Sequence, residues 1–220
     1  MRVLMVSYDR NIFVEGTDAY SNALMYGSFM EELHIIIFSK KHHRLSNKKI
    51  GNKTWLYPTN GILGIHILIK AILIGRKIKN IDVVTTQDPF EAGIVGYVLH
   101  LLHRRPLQVQ LHGDFFSGDY WLSESVLNRG RAFVGKILIR KADCVRVVSE
   151  RIMRSLMEFG IPQKNIINNP ITISSSYFEK KKPSLDLHKI HKDADFIFLT
   201  VARFVKVKNL SFLIRAFVSV

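Results

Sequence analysis

The chain has 220 residues, 47% hydrophobic and 23% charged, which excludes a disordered, collagenous or coiled-coil protein and predicts one domain, or one domain and part of another. Its 32 Lys and Arg against 18 Asp and Glu give a net charge of +14, which favours polyanionic partners: nucleic acid, an acidic membrane surface or a phosphorylated substrate. The single cysteine, Cys144, excludes an intramolecular disulfide and suits a reducing compartment.

Strands and helices are predicted to alternate along most of the chain. Continuous apolar runs are typical of strands buried on both faces of a parallel sheet. They predict strands at 1–7, 34–39, 54–57, 82–86, 107–111 and 144–148. Helical spacing predicts helices at 19–32, 61–79, 90–103, 123–141 and 150–159. Ser149 is a good N-cap for the last of these, and Gly160 and Pro162 stop it. This alternation predicts an α/β fold with a Rossmann-like, doubly wound parallel sheet.

The fold class also predicts where ligands bind. In doubly wound sheets the ligand lies at the carboxyl ends of the strands. This rule selects the loops at 8–16, 87–90 and 112–119.

The character of the sequence changes after residue 170. Residues 171–194 are polar, rich in lysine and interrupted by Pro183, which predicts a linker. A strand is then predicted at 196–201 and a helix from 209, which reaches residue 220 without a cap. We therefore expect a first domain at 1–170, a linker at 171–194, and at 195–220 the start of an incomplete second Rossmann-like domain.

Three sites are candidates for binding or catalysis. His112 follows a predicted strand and precedes Gly113, where it could donate a hydrogen bond or exchange a proton, or could merely cap the strand. Arg203 and Lys208 frame the turn before the last helix, which favours a diphosphate site, although chance pairs of basic residues are common here. Gly16 could admit a phosphate or a sugar, or be an ordinary loop glycine; the G-x-G-x-x-G pattern is absent.

Four acidic residues near the expected cleft are candidates for its chemistry, and two of them, Asp88 and Asp114, for the acceptor side. The four are Asp88, Glu91, Asp114 and Asp119, and the sequence does not show which of them face a substrate. No histidine pair has the spacing of metal ligands, and the lone cysteine adds none, so no metal site is predicted.

The helix predicted at 61–79 has two interpretations. It is apolar almost all round and ends in Arg76, Lys77 and Lys79, which suits a membrane interface. A buried helix with a basic end is the slightly favoured alternative. Neither a signal peptide nor a convincing transmembrane segment is found, so we expect a cytoplasmic protein, with a peripheral position on the inner face of the membrane.

Four passages together resemble a known family. They are TTQDPFEAGIVGYVL (85–99), LQVQLHGDFF (107–116), ADCVRVVSERIMRSLMEFGIPQKNIINNPI (142–171) and FIFLTVARFVKVKNLSFLIRAF (196–217). In this order the chain resembles the front part of a GT-B glycosyltransferase of the large retaining group called family 4. It departs from the family pattern at Leu111, where threonine is usual, and at Ala202 and Val207, where glycine and glutamate are frequent. The family's E-x7-E segment has no counterpart in this sequence.

The resemblance implies a role for each matching residue. Arg203 and Lys208 would bind the diphosphate of a nucleotide-sugar donor, and Gly16 would approach its phosphates. His112 would contact the donor sugar or the reaction centre, while Asp88 and Asp114 stay acceptor-side candidates. The resemblance implies no metal and no cofactor other than the nucleotide-sugar, since cations would neutralise the leaving diphosphate.

Three functions compete at this point. The first is a transferase that moves a sugar from a UDP- or GDP-sugar to a cell-surface polysaccharide or glycolipid, inactive as this piece alone. The second is an inactive basic α/β module that binds a membrane surface or another polyanion. A nucleotide-sugar epimerase of the same fold is a third, against which the spacing of Arg203 and Lys208 argues mildly. Nucleic acid is the least favoured polyanion, because aromatic and basic residues are not interleaved regularly.

Overall fold

The structure is a computed structural model that describes residues 1–115, 119–123, 125–171, 185–205 and 208–218, with the backbone alone at 119–120. The chain divides into two compact units, Met1–Pro170 and Ile171–Val220. The linker predicted at 171–194 lies mostly outside the described residues.

Strands and helices alternate along the first unit. Its strands are β1 (Arg2–Ser7), β2 (Glu32–Ile37), β3 (Lys48–Ile50), β4 (Thr54–Pro58), β5 (Val83–Thr86), β6 (Leu107–Leu111), β7 (Cys144–Val147) and β8 (Ile166–Asn168). Its helices are α1 (Asp18–Ser28), α2 (Gly64–Gly75), α3 (Glu91–His103), α4 (Asp119–Ser123), α5 (Val126–Lys141) and α6 (Glu150–Glu158).

The eight strands form one sheet in the order β3-β4-β2-β1-β5-β6-β7-β8. Every neighbouring pair is parallel except β3 with β4. The chain leaves β1 towards one edge of the sheet, returns, and then runs from β5 towards the other edge. The point where the strand order reverses therefore lies between β1 and β5, and the predicted doubly wound fold is confirmed.

Apolar residues pack on both faces of the sheet. On one face Val3 and Met5 of β1 pack with Ala23 and Leu24 of α1. On the other face α2, α3, α5 and α6 cover the sheet, and their buried side chains include Ala71, Leu99, Ile139 and Leu156. The strands are thus apolar on both faces because each face carries its own helical layer.

Polar residues and glycine set the ends of several helices. The Ser149 side chain accepts a hydrogen bond from the Ile152 N–H at 3.4 Å, as predicted for the N-cap of α6. Gly160, with φ of +94°, takes the left-handed conformation that ends this helix. Ser125 caps α5 in the same way, by accepting a hydrogen bond from Asn128 N–H at 3.1 Å.

Several predicted boundaries are wrong. The helix predicted at 19–32 ends at Ser28, because β2 already begins at Glu32. The helix predicted at 61–79 spans Gly64–Gly75 only, and Ser125 separates α4 from α5 within the helix predicted at 123–141. The short strands β3 and β8 were not predicted.

The second unit contains two helices among its described residues, α7 (Leu187–Ile190) and α8 (Leu210–Val218). The helix predicted from residue 209 is confirmed. The strand predicted at 196–201 is not formed, since the described part of this unit offers no second strand to pair with. The Phe198 ring instead contacts the rings of Phe196 and Phe217, each at 4.8 Å between centroids.

Candidate functional site

The loops after β1 and β5 meet at the carboxyl edge of the sheet, where the strand order reverses. Two hydrogen bonds join them. The Ser7 hydroxyl donates to Gln87 Oε1 at 2.6 Å, and the Tyr8 hydroxyl donates to Glu91 Oε2 at 3.1 Å. Two of the three loops that the sequence selected are therefore direct neighbours at the position where such folds bind ligands.

Glu91, the first residue of α3, is held from two sides. Arg131 of α5 donates to Glu91 Oε1 through Nε at 2.8 Å and through Nη2 at 2.6 Å. Tyr8 donates to the other carboxylate oxygen. Burial, with the charges of Asp88 and Glu91, raises the pKa of the Tyr8 phenol, so Tyr8 stays a hydrogen-bond donor at neutral pH. The Glu91 side chain therefore links the loop after β1, helix α3 and helix α5 through its hydrogen bonds.

Asp88 is half-buried beside this cluster. Its Oδ1 accepts a hydrogen bond from Phe90 N–H at 2.6 Å, while its Oδ2 is buried without a hydrogen-bond partner among the described residues. Burial, followed by the charge of Glu91, raises the pKa of Asp88 to about 6, against the opposing effects of N–H groups at the start of α3 and of Arg131. At neutral pH Asp88 is therefore ionised but close to its pKa, which suits a proton acceptor.

His112 lies exposed at the carboxyl end of β6. Burial of part of its ring, together with the positive charge of Arg146, holds the pKa of His112 below its usual value. The imidazole is therefore neutral at pH 7, with one nitrogen that donates and one that accepts. A Cβ on the following residue, Gly113, would lie 3.1 Å from the Phe115 ring.

A row of polar side chains crosses β5, β6 and β7 close to His112. Thr85 Oγ1 donates to Gln108 Oε1 at 3.0 Å and accepts from Gln110 Nε2 at 3.1 Å. Arg146 Nη1 donates to Gln110 Oε1 at 2.9 Å, and Arg146 Nε is buried without a partner among the described residues. Because Gln110 is uncharged, it leaves the charge of Arg146 free to act on His112.

Three aromatic rings join the loops after β5 and β6 to α4. The Phe90 centroid lies 5.1 Å from that of Phe115 and 5.1 Å from that of Trp121. Phe115 and Trp121 are 5.0 Å apart. The loop at 112–119, in its described part up to residue 115, therefore packs against the loop at 87–90 through these rings.

Asp114 faces α6, whereas Asp88 lies against α3. The Asp114 carboxylate is only 4% exposed, accepts a hydrogen bond from Ser155 at 3.4 Å and pairs with Arg151 at 3.4 Å. It borders an open, highly charged cavity of about 470 Å³, lined by Asp114, Glu150, Arg151, Arg154, Ser155 and Glu158. The side chain of the fourth candidate acid, Asp119, lies outside the described residues.

Gly16 ends the loop after β1 in a left-handed conformation, with φ of +85°. A Cβ at this position would meet no atom within 4 Å, so the backbone borders open space. The positive φ favours glycine whether or not a ligand occupies that space.

Arg203 and Lys208 are both exposed in the second unit. The Val205 N–H donates to the carbonyl of Arg203 at 2.8 Å, and the Lys208 N–H donates to the carbonyl of Val205 at 2.9 Å. Lys208 precedes the first residue of α8 by two positions. Both cations therefore lie shortly before α8 in the chain, and the strand expected before Arg203 is not formed.

Two features are absent from the part of the chain that the structure describes. No group of three or more His, Cys, Asp or Glu residues there could hold a metal ion. No helix in the same residues is long and apolar enough to cross a bilayer.

Sequence reasoning missed Tyr8, Arg131 and Arg146. The contacts of Tyr8 and Arg131 join residues 83 and 40 positions apart, for which a single sequence carries no signal. Arg146 could have been selected from the sequence, because a charged residue within a buried parallel strand needs a polar partner or serves a function.

Comparison with known proteins shows what this arrangement is similar to. The sequence profile of Glycosyltransferase Family 4 matches residues 33–174, well over half of the chain. No curated protein matches the sequence significantly.

Solved structures resemble the chain in fold. HepE from Anabaena, in complex with UDP, has a TM-score of 0.55 at 15% identity, over 88% of this chain and 50% of HepE. Sucrose-phosphate synthase from Thermosynechococcus elongatus has a TM-score of 0.58 at 11% identity, over 78% of this chain and 90% of that one. UDP-GlcNAc 2-epimerase from Methanocaldococcus jannaschii has a TM-score of 0.51 at 12% identity, over 76% of this chain and 45% of the epimerase. At these identities the likeness shows the fold alone, and the chain spans about half the length of HepE.

Proposed function

The chain belongs to glycosyltransferase family 4, and from this premise we propose that it serves in transferring a hexose from a UDP- or GDP-sugar to a cell-surface polysaccharide or glycolipid. The observation that carries the proposal is the position of His112. It is a neutral, exposed imidazole at the carboxyl end of β6, inside the region that matches the family. Retention of the sugar's anomeric configuration is part of the proposal, and rests on the family resemblance.

The donor would be held mainly by positive charge and backbone. Arg203 and Lys208 are proposed to bind the diphosphate, with Gly16 approaching it from the loop after β1. Two cations beside a helix N-terminus can neutralise a leaving diphosphate, so neither a metal ion nor a cofactor besides the nucleotide-sugar is proposed. The HepE structures with UDP and with UDP-glucose support a nucleotide-sugar as donor.

The acceptor side would use the acids of the carboxyl edge. Asp88, with a pKa of about 6, is suited to receive a proton from an acceptor hydroxyl once its buried carboxylate becomes accessible. Asp114 is paired with Arg151 and Ser155, so we propose that it fixes the loop carrying His112.

The arrangement of domains is also a proposal. Residues 1–170 would form the acceptor-side domain, 171–194 the linker, and 195–220 the start of the donor-binding domain. Since the chain spans about half of HepE, we expect this piece alone to bind a donor weakly and to transfer no sugar.

Ligand-detected NMR with UDP, GDP and their sugars tests the donor site in the 220-residue chain. We expect weak, saturable binding of one nucleotide class that Arg203→Ala abolishes. Lys192→Ala, which removes an exposed cation of the same unit, is the matched control and should bind as the unmodified chain does. No binding, or equal binding by both variants, would remove the donor role of Arg203.

The alternative is an inactive basic module that binds a membrane surface or another polyanion. An exposed apolar face on α2, flanked by cations, favours a membrane for this candidate. The module should bind anionic vesicles with a steep dependence on salt and with no effect of Arg203→Ala. Binding of a UDP- or GDP-sugar that Arg203→Ala abolishes would contradict this alternative.

A further inference from the structure

Helix α2 carries a row of exposed aliphatic side chains. Ile62 and Leu63 precede the helix, and Ile65, Ile69 and Leu73 follow on it at intervals of four residues. Their exposed fractions are 62%, 68%, 66%, 49% and 45% respectively. We call these five residues the α2 row. Residues four apart lie on one side of a helix, so the row is a continuous stripe.

The opposite side of α2 is packed into the first unit. Ala71 is fully buried, and Ile67, Leu68 and Ile72 pack against the same core cluster. The helix is therefore held in place by its inner side, while the α2 row faces away from the core. This exposure excludes a helix that is buried on both sides, and it leaves one apolar face of α2 open.

Cations surround the start of the α2 row. The turn Lys41–His43 is joined to the residue before the row, since the Lys41 N–H donates to the carbonyl of Gly61 at 2.8 Å. Lys40, Lys41 and Arg44 are all exposed there.

Cations also surround its far end. Arg76, Lys77 and Lys79 follow the helix and are exposed. Arg104 and Arg105 are exposed close by, because His103 at the end of α3 lies 3.1 Å from the carbonyl of Gly75 at the end of α2.

Acidic side chains are absent from this stretch of sequence. Residues 33–81 contain ten Lys and Arg and no Asp or Glu. At the adjoining edge, Asp82 accepts a hydrogen bond from Arg2 N–H at 2.7 Å, and Asp143 accepts one from Leu107 N–H at 2.8 Å. Both carboxylates keep their negative charge, but Arg76, Lys77, Lys79, Arg104 and Arg105 outnumber them at this end of the α2 row.

We propose that the α2 row docks onto an anionic lipid bilayer, with its aliphatic side chains in the interface and the flanking cations on lipid phosphates. An apolar stripe suits the bilayer interface, and the Lys and Arg that border it suit the negatively charged lipid phosphates. A second copy of the chain fits less well, since a symmetric contact would bring two positive borders together. At 12 residues, or about 18 Å, α2 is too short to span a hydrocarbon core of about 30 Å.

Docking in this orientation has a consequence for the acceptor. Since α2 begins after β4, the row starts at the carboxyl edge of the sheet, where the candidate site lies. A lipid-linked acceptor would then reach that edge from the bilayer surface. The inference names the membrane partner of the proposed transferase, but lipid binding itself does not depend on sugar transfer.

Co-sedimentation of the 220-residue chain with vesicles tests the proposal. One set contains phosphatidylcholine alone, and the other phosphatidylcholine mixed with phosphatidylglycerol. We expect binding to the mixed vesicles, reduced at least about 100-fold by Ile65→Glu with Ile69→Glu, which removes apolar contacts and adds repulsion. Arg76→Gln with Lys77→Gln should reduce it about 25-fold, since each cation at such a surface contributes about fivefold.

A matched control comes from the opposite face of the sheet. Met25 and Phe29, near the end of α1, are 46% and 81% exposed, so Met25→Glu with Phe29→Glu makes the same change in charge at two exposed apolar side chains elsewhere. Circular dichroism of all variants confirms folding, because every substituted side chain is exposed. Nucleotide binding should be unchanged in all of them, which separates this test from that of the donor site.

Four results would overturn the proposal. They are no binding to mixed vesicles, equal binding to neutral vesicles, an equal loss in the α1 and α2 variants, or release by single-stranded RNA together with loss of RNA binding in the α2 variant. The last result would assign the surface to nucleic acid.

Discussion

Replacing Asp88 with asparagine is expected to stabilise the folded chain at neutral pH and to remove part of its pH dependence. Burial and the charge of Glu91 raise the pKa of Asp88 from 3.8 to about 6 in the folded chain. Since one pKa unit corresponds to 1.36 kcal/mol, keeping this carboxylate ionised costs the fold about 3 kcal/mol.

The sign follows from linkage. A folded pKa above the unfolded one means that the folded chain binds this proton more tightly, so the stabilisation is complete below about pH 4. It is lost as the pH rises through about 6. Asparagine carries no charge and keeps an oxygen to accept from Phe90 N–H. Asp88→Asn should therefore match the unmodified chain near pH 4 and exceed its free energy of unfolding by up to about 3 kcal/mol above pH 7.

Urea unfolding, followed by tryptophan fluorescence at a series of pH values, measures this difference. Asp9→Asn is the matched control, since Asp9 also accepts a backbone hydrogen bond, from Asn11 N–H at 3.0 Å, but is exposed. The control should show no such pH-dependent gain. A difference for Asp88→Asn that stays constant with pH, or a loss of stability at neutral pH, would refute the reasoning.

Two further predictions concern neighbouring parts of the site. Arg146→Gln should raise the pKa of His112, because it removes the second cause of the depression and leaves burial, the larger one; NMR titration of the imidazole measures this, and an unchanged or lower pKa would contradict it. Gly16→Ala should lower the free energy of unfolding by about 1 kcal/mol, because alanine is strained at a φ of +85°, whereas Gly130→Ala, within α5 and facing open space, should raise it by up to about 1 kcal/mol. Urea unfolding compares the two variants, and equal changes would show that the backbone at Gly16 relaxes.

Sequence reasoning predicted the sheet well, because its strands are continuous apolar runs. The strand predicted at 107–111 matches β6, and that at 144–148 differs from β7 by one residue. Strand β3 escaped prediction because Lys48 and Lys49 resemble a solvated basic segment. In the structure only Ile50 of β3 is buried, while the two ammonium groups lie over the rings of Tyr20 and Trp55, at 5.4 and 4.6 Å.

Where the sequence failed, the missing information was tertiary. The strand predicted at 196–201 has the right composition, but a strand also needs a partner. The exposure of the α2 row was likewise hidden, because a helix that is apolar all round gives no period from which to choose a face. At the candidate site, rules about strand ends located His112 and Asp88. The pairing of Glu91 with Arg131 depends on the packing of α3 against α5 and could not be predicted.

The two hydrogen bonds that join the loops after β1 and β5 have a mechanical consequence. Tyr8 is tied to Glu91 and Ser7 to Gln87, so the start of the loop after β1 cannot move away from the start of α3 without breaking these hydrogen bonds. Arg131 extends the same linkage to α5. A ligand that displaces Tyr8 would therefore leave one oxygen of Glu91 without its donor, while Arg131 still holds the other.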